Sequence, residues 1–219
     1  MARIAEDLLL LLLDNPAAQP ALERRPRGRA LAAALLLDLA LQCRLRPALP
    51  GDPAPPGELL ALSGPLPLDP AVRPALALLE RGPLRASAAI AGLRGRAEDD
   101  VLDQMLRTGQ LHQVSLTAHR LRRNTYRWPL TDRARAGAAR GALAAALFEQ
   151  RRPDPVTAAL AGLLDAVDGF GAVFALDAAG MHHARASAAA IAAGGWADRS
   201  DVAQHNLAVS AGAILPALR

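Results

Sequence analysis

A mainly α fold is predicted by three features of the sequence. Just over half of the 219 residues are hydrophobic, and most of these are alanine or leucine. Only 3% are aromatic, and strand-forming Ile, Val and Thr are scarce. This is a helix-forming vocabulary. The single exception is LHQVSLTAHRLRRNTYRWPL, where Val, Thr, Tyr and Trp gather. The expected architecture is one compact helical domain over residues 1–219, with buried central helices and one protruding β-hairpin. A chain of this length can build its core without disulfides or metals.

The opening MARIAEDLLLLLLDNP sets Leu8 to Leu13 behind the acidic pair Glu6-Asp7. A membrane-spanning helix needs about 20 apolar residues, and here Asp7 and Asp14 bracket only the leucines. A signal peptide wants a cationic start and a longer apolar stretch. Acidic residues at a helix start complement its dipole instead. The run is therefore expected to be a short helix buried on all sides, closed by Asp14-Asn15-Pro16, in a soluble cytoplasmic protein.

A polar stretch carrying Arg24, Arg25, Arg27 and Arg29 precedes a long apolar helix, expected over roughly 30–44. The lone Cys43 excludes an intramolecular disulfide and is read as a small hydrophobe on that helix's packing face. Residues 46–75 hold too many prolines and glycines for a helix and predict loop with one short strand at 58–62. Three helical segments follow, near 70–80, 84–93 and 97–108, the last stopped by Gly109. The hairpin is expected from strands at 111–117 and 121–128. Helices are expected again at 133–149, 155–168, 181–193 and 202–215, with Ser200 as N-cap of the last and Pro216 as its stop.

The formal net charge is +4, and every positive side chain is an arginine. Codon bias of a GC-rich genome accounts for part of this. What remains is a set of planar five-donor forks suited to phosphate or carboxylate.

Several moderate motifs occur in a telling order: AEDLLLLLLD, LLLDLALQCRL, VLDQMLRTGQL, a hairpin closing on RWPLTD, then PVTAALAGLLDAVDGF. In this order they resemble the Golgi phosphoprotein 3 family, over nearly the whole chain, and the sequence reads as a bacterial member. The resemblance implies a mostly helical fold and peripheral, non-catalytic binding of anionic phosphoinositide-like headgroups, phosphatidylinositol 4-phosphate in eukaryotic relatives. Those relatives use a tryptophan, an arginine and an arginine pair. Here a residue near Glu23, then Ala32, then Gly95 and Glu98 occupy those positions. Arg27, Arg29, Arg94 and Arg96 stand beside them and are expected to form a shifted anion site. The resemblance also implies a homo-oligomer through the hairpin and leaves room for a protein cargo.

The hairpin offers a second candidate surface. His119, Arg120, Arg122, Arg123 and Arg127 cluster at its tip and second strand, with Tyr126 and Trp128 interleaved. Aromatic rings and guanidinium groups suit a headgroup interface. Against this stands an ordinary edge strand guarded by arginines, with the rings packed inward.

Two other function classes are weighed. Helices and hairpin over 70–128 follow the order of a winged helix-turn-helix. The third helix, however, begins Ala97-Glu98-Asp99-Asp100, the wrong sign for a phosphate-lined groove. Nucleic acid is therefore disfavoured as a partner. The alanine-rich helices would also suit a pure protein–protein scaffold. For an enzyme, cofactor or metal there is little to nominate. GFGAVF lacks the third glycine of a dinucleotide loop. The adjacent His182-His183 diverge by about 100° on a helix, and with His205 they lack completing ligands.

Overall fold

The computed structural model describes residues 3–67, 69–116 and 125–219. Helix α1 (Arg3–Leu13) carries the leucine run, and its side chains from Ile4 to Leu13 are buried with Asp7 alone half-buried. Its N-terminus is not capped by its own residues. Asp38 of α2 (Arg24–Leu41) accepts the Ile4 and Ala5 amides, each at 3.0 Å. A side chain 33 or more residues away thus satisfies two of the orphan donors of the first turn.

Helix α2 is the central element. It touches α1 and also α4 (Ala86–Leu93), α5 (Ala97–Arg107), α7 (Pro155–Ala166) and α9 (Val202–Ile214), and every residue from Ala30 to Ala40 is buried. It starts at Arg24, well before the apolar stretch. Pro26 is tolerated there because a first-turn amide has no intrahelical acceptor to lose. At its other end Cys43 lies beyond the helix, half-buried with φ +52°, so it is a turn residue and not part of the packing face. The carbonyls of Ala40 and Leu45 are taken by the side-chain amide of Asn206 on α9, both at 2.7 Å.

Strands β1 (Leu45–Pro47) and β2 (Leu59–Ala61) pair antiparallel, with Arg46 opposite Leu60. β1 has no counterpart in the sequence-based expectation. Pro47 inside it and Pro50 just beyond it hid it. A 3-10 turn (Pro70–Val72) leads into α3 (Arg73–Leu79), then α4 and α5. Gly109, at φ +68°, follows α5 in the left-handed conformation that glycine adopts without strain. Strands β3 (Val114–Leu116) and β4 (Thr125–Arg127) form the hairpin, extended by a bridge between Leu111 and Leu130. Its tip lies outside the described residues.

The remaining helices are α6 (Ala134–Phe148), α7, α8 (Ala178–Ala192) and α9. Aspartates cap the last three. Asp154 accepts the Val156 and Thr157 amides, Asp177 accepts that of Gly180, and Asp201 accepts those of Ala203 and Gln204. Asp201 thus takes the role expected of Ser200, whose own hydroxyl turns back to Asp198 at 2.8 Å. Helix α9 stops before Pro216, and residues Leu215–Leu218 form a 3-10 turn. The fold is mainly α, with a hairpin, and its buried apolar side chains form one continuous cluster spanning α1 to the final turn.

One close approach shapes the surface used below. A Cβ built on Gly28 of α2 would lie 2.7 Å from the carbonyl oxygen of Arg94, where α4 ends. Gly28→Ala should therefore destabilise the protein by about 1–2 kcal/mol, a backbone clash partly offset by better helix propensity. Urea denaturation measures this, and a stabilised variant would contradict the packing described.

Candidate anion site at the α2 N-terminus

Glu23 precedes α2 in extended conformation and offers no side-chain cap. The amides of Arg24 and Arg25 have no backbone acceptor among the described residues, while Arg27 N–H closes the first turn onto Glu23 at 3.0 Å. The uncapped helix end presents partial positive charge to solvent. The α4–α5 corner meets it at Gly28, so Arg94 and Gly95 stand beside the first turn of α2. Arg24, Arg25, Gly28, Arg94, Gly95, Glu98 and Asp99 enclose a concavity of about 270 Å³.

Arg24, Arg25 and Arg94 are all exposed, and none of their guanidinium groups has an ion-pair or hydrogen-bond partner among the described residues. The two carboxylates have different situations. Glu98 is engaged by Arg27, whose Nε lies 3.0 Å from its Oε1. Asp99 is exposed and unpaired among the described residues, and its negative charge sits at the rim.

Of the four arginines expected from the sequence, Arg94 lines the concavity and three are engaged elsewhere. Arg27 holds Glu98 and donates to the Leu22 carbonyl. Arg29 donates to the Ala217 carbonyl at 3.0 Å, pinning the C-terminal turn. Arg96 forms a two-pronged pair with Asp100 at 2.8 and 3.0 Å. Arg24 and Arg25 were missed because the helix was expected to begin at 30, which left them in an irregular stretch. The signal available was Pro26, a residue that favours the first turn of a helix.

On the hairpin, Arg127 is exposed, and the rings of Tyr126 and Trp128 lie 5.9 Å apart. The Trp128 amide bonds the Ala18 carbonyl at 2.7 Å, and its half-buried ring packs on the core. His119, Arg120, Arg122 and Arg123 lie outside the described residues. On α8 the His183 ring stacks on Phe148 with centroids 6.0 Å apart. Among the described residues no group of three or more His, Cys, Asp or Glu side chains could hold a metal. Among them, too, no helix is long and apolar enough to cross a membrane.

The three helices α3–α5 followed by a hairpin do occur in winged-helix order. The first turn of α5 nonetheless carries Glu98, Asp99 and Asp100, the charge pattern that opposes a nucleic-acid groove.

No curated protein matches the chain. The family model described as Golgi phosphoprotein 3 (GPP34) matches residues 4–204, from the first turn of α1 into α9. With its order of elements and the extent of that match, the chain belongs to the Golgi phosphoprotein 3 (GPP34) family.

Proposed function

We propose that the protein is a peripheral, non-catalytic binder of anionic phosphoinositide-like headgroups, which it holds between the α2 N-terminus and the α4–α5 corner. One observation carries this reading. Three arginines whose guanidinium groups have no partner among the described residues, Arg24, Arg25 and Arg94, surround a concavity at an uncapped helix end. Unpaired guanidinium groups and free amides together match the oxygens of a phosphate monoester. Family membership supports a lipid-binding role. With no candidate span among the described helices, such contact would be made from the surface. Exposed Arg127 and Tyr126 on the hairpin form a second face for a membrane or for another copy of the chain.

Liposome co-sedimentation over a salt series tests the reading, using neutral, phosphatidylinositol and phosphatidylinositol 4-phosphate membranes. The expected result is a salt-sensitive preference for the phosphorylated headgroup. Each arginine near an anionic surface contributes about 1 kcal/mol. Arg24→Ala/Arg25→Ala and Arg94→Ala should therefore weaken binding by roughly thirtyfold and fivefold. Asp99→Asn should strengthen it by about threefold, because it removes an exposed opposing charge. Arg27→Ala/Arg29→Ala should act mainly on stability. Equal, negligible binding to all three membranes sinks the proposal, and loss confined to Arg122→Ala/Arg123→Ala would move the anchor to the hairpin.

A further inference from the structure

Arg44 lies just before β1 and is 7% exposed, yet no carboxylate pairs with it among the described residues. Buried charges are normally paired, because taking an ion out of water without a counter-charge is costly. Its Nε donates to the Leu62 carbonyl at 2.9 Å and its Nη1 to that of Pro65. Nη2 makes no hydrogen bond among the described residues and stays open to solvent. The guanidinium lies against Gly64, where an added Cβ would stand 3.3 Å from Nε and 3.7 Å from Cζ. Arg44 and Gly64 both line a cavity of about 510 Å³ between β2 and the α3–α4 turn, together with Ala61, Leu79, Gly82 and Pro83.

Strand β2 brings a second unmet demand to the same cavity. Leu62 N–H bonds the Arg44 carbonyl at 2.9 Å, and Ala48 N–H bonds that of Glu58 at 2.7 Å. Bonded pairs alternate along an antiparallel ladder, so in this register Leu59 and Ala61 turn their N–H and C=O groups away from β1. Leu59 exchanges both bonds with Leu84, at 2.7 and 3.2 Å, which begins a third strand. That strand goes no further. Gly82 turns its N–H back to Leu79 at 3.2 Å, and Pro83 has none to offer. Ala61, on the cavity wall, therefore keeps an N–H and a C=O without a partner among the described residues.

A free backbone edge is complemented by another backbone, and a buried guanidinium by a carboxylate. We propose that this cavity binds the C-terminal residues of an extended peptide from a partner protein. The peptide adds to the edge of β2 at Ala61, and its terminal carboxylate takes Arg44 Nη2. The cavity falls within the range of about 300–1,000 Å³ typical of ligand sites. Glu80 lines it too, exposed and without a side-chain partner among the described residues, and favours a basic side chain in the peptide. Arg44 already fixes the Leu62 and Pro65 carbonyls, so the receiving edge is ordered before a peptide arrives and less ordering is left for binding to supply. The inference is independent of the arginine concavity on α2 and of lipid binding.

A library of random heptapeptides displayed with free C-termini, selected on the full chain, should converge on one pattern. Labelled with fluorescein, the selected peptide should bind saturably by anisotropy, and its C-terminal amide at least tenfold more weakly. N-methylation at each peptide position in turn should cost at least tenfold where the amide pairs with β2. Ala61→Pro removes an outward edge N–H that makes no bond within the protein, a place where proline is tolerated. It should keep the melting temperature near that of the wild type and weaken the peptide at least tenfold. In Arg44→Gln the acid and amide forms should bind alike, a ratio that a merely structural arginine would leave unchanged. The peptide variants test the wild-type chain and need no altered protein to fold. No converging pattern, equal binding of acid and amide by the wild type, or indifference to both Ala61→Pro and N-methylation overturns the proposal.

Discussion

Replacing Asp38 with alanine is expected to lower the stability of the protein by about 2–4 kcal/mol, the combined loss of a helix cap and the stranding of buried amides. Asp38 is 1% exposed, and each of its carboxylate oxygens accepts one amide from the first turn of α1. With alanine there, the Ile4 and Ala5 N–H groups would face the core with no acceptor. Hydrogen exchange at these two amides should accelerate along with the global loss seen in urea.

The same residue has a pH signature. Burial pushes the Asp38 carboxyl up to about 8, against the two amide bonds that favour its charged form, and the nearby Asp69 and Glu6 carboxylates add to the rise. An unfolded aspartate releases its proton near 3.9. Between about pH 4 and pH 8 the folded chain therefore holds a proton that the unfolded chain has lost. Stability falls as pH rises through that window, and this contribution is gone above the folded value. Burial also raises the Asp7 carboxyl, although Arg135 opposes it, and this acts in the same direction at the acidic end. Asp38→Asn keeps one acceptor and cannot ionise. Its stability curve between pH 5 and 8 should be flatter than that of the wild type, and an unchanged slope would contradict the assignment.

The second large effect is expected at Arg135. This α6 side chain donates to Glu6 Oε2, Asp7 Oδ1 and Gln110 Oε1, each at 2.6 Å, and so joins α1 to α6. Glu6 is 1% exposed while Arg135 is 34% exposed. Breaking a buried pair by removing one partner strands the other charge, at a typical cost of 3–5 kcal/mol. The partial exposure of Arg135 lowers the expectation for Arg135→Met to about 2–4 kcal/mol. Glu6 already has a buried Oε1 with no hydrogen-bond partner, so the site tolerates little further loss. Adding Glu6→Gln to Arg135→Met should restore at least half of the stability. A double-mutant cycle by chemical denaturation measures that coupling, and additive losses would show that the pair acts independently.

The helices were largely legible because their signals are local. Pro155 at the start of α7, Pro216 after α9 and the glycine after α5 mark ends within a few residues, and the apolar blocks of α1 and α2 mark the core. The misses have local causes too. α2 starts at Arg24 because a first turn accepts Pro26, and Asp201 rather than Ser200 caps α9 because its carboxylate reaches two amides. The anion site was legible only as a neighbourhood. Arg94 was reachable from the motif order. Arg24 and Arg25 required the true start of α2, and the engagement of Arg29 required the C-terminal turn that supplies its acceptor, 188 residues away.

By itself, then, the sequence determined the helical class, the burial of the leucine run, the hairpin and the family. These follow from composition, capping and apolar patterning, which act between near neighbours. Only the tertiary structure decided which charges are free. Glu98 engages Arg27, Asp100 engages Arg96, Ala217 engages Arg29, and Arg135 holds Glu6 and Asp7. Arg24, Arg25 and Arg94 are left facing solvent at an uncapped helix end. An arginine's availability depends on whether an acceptor lies within a few ångströms, and for most of these side chains that acceptor comes from a distant part of the chain.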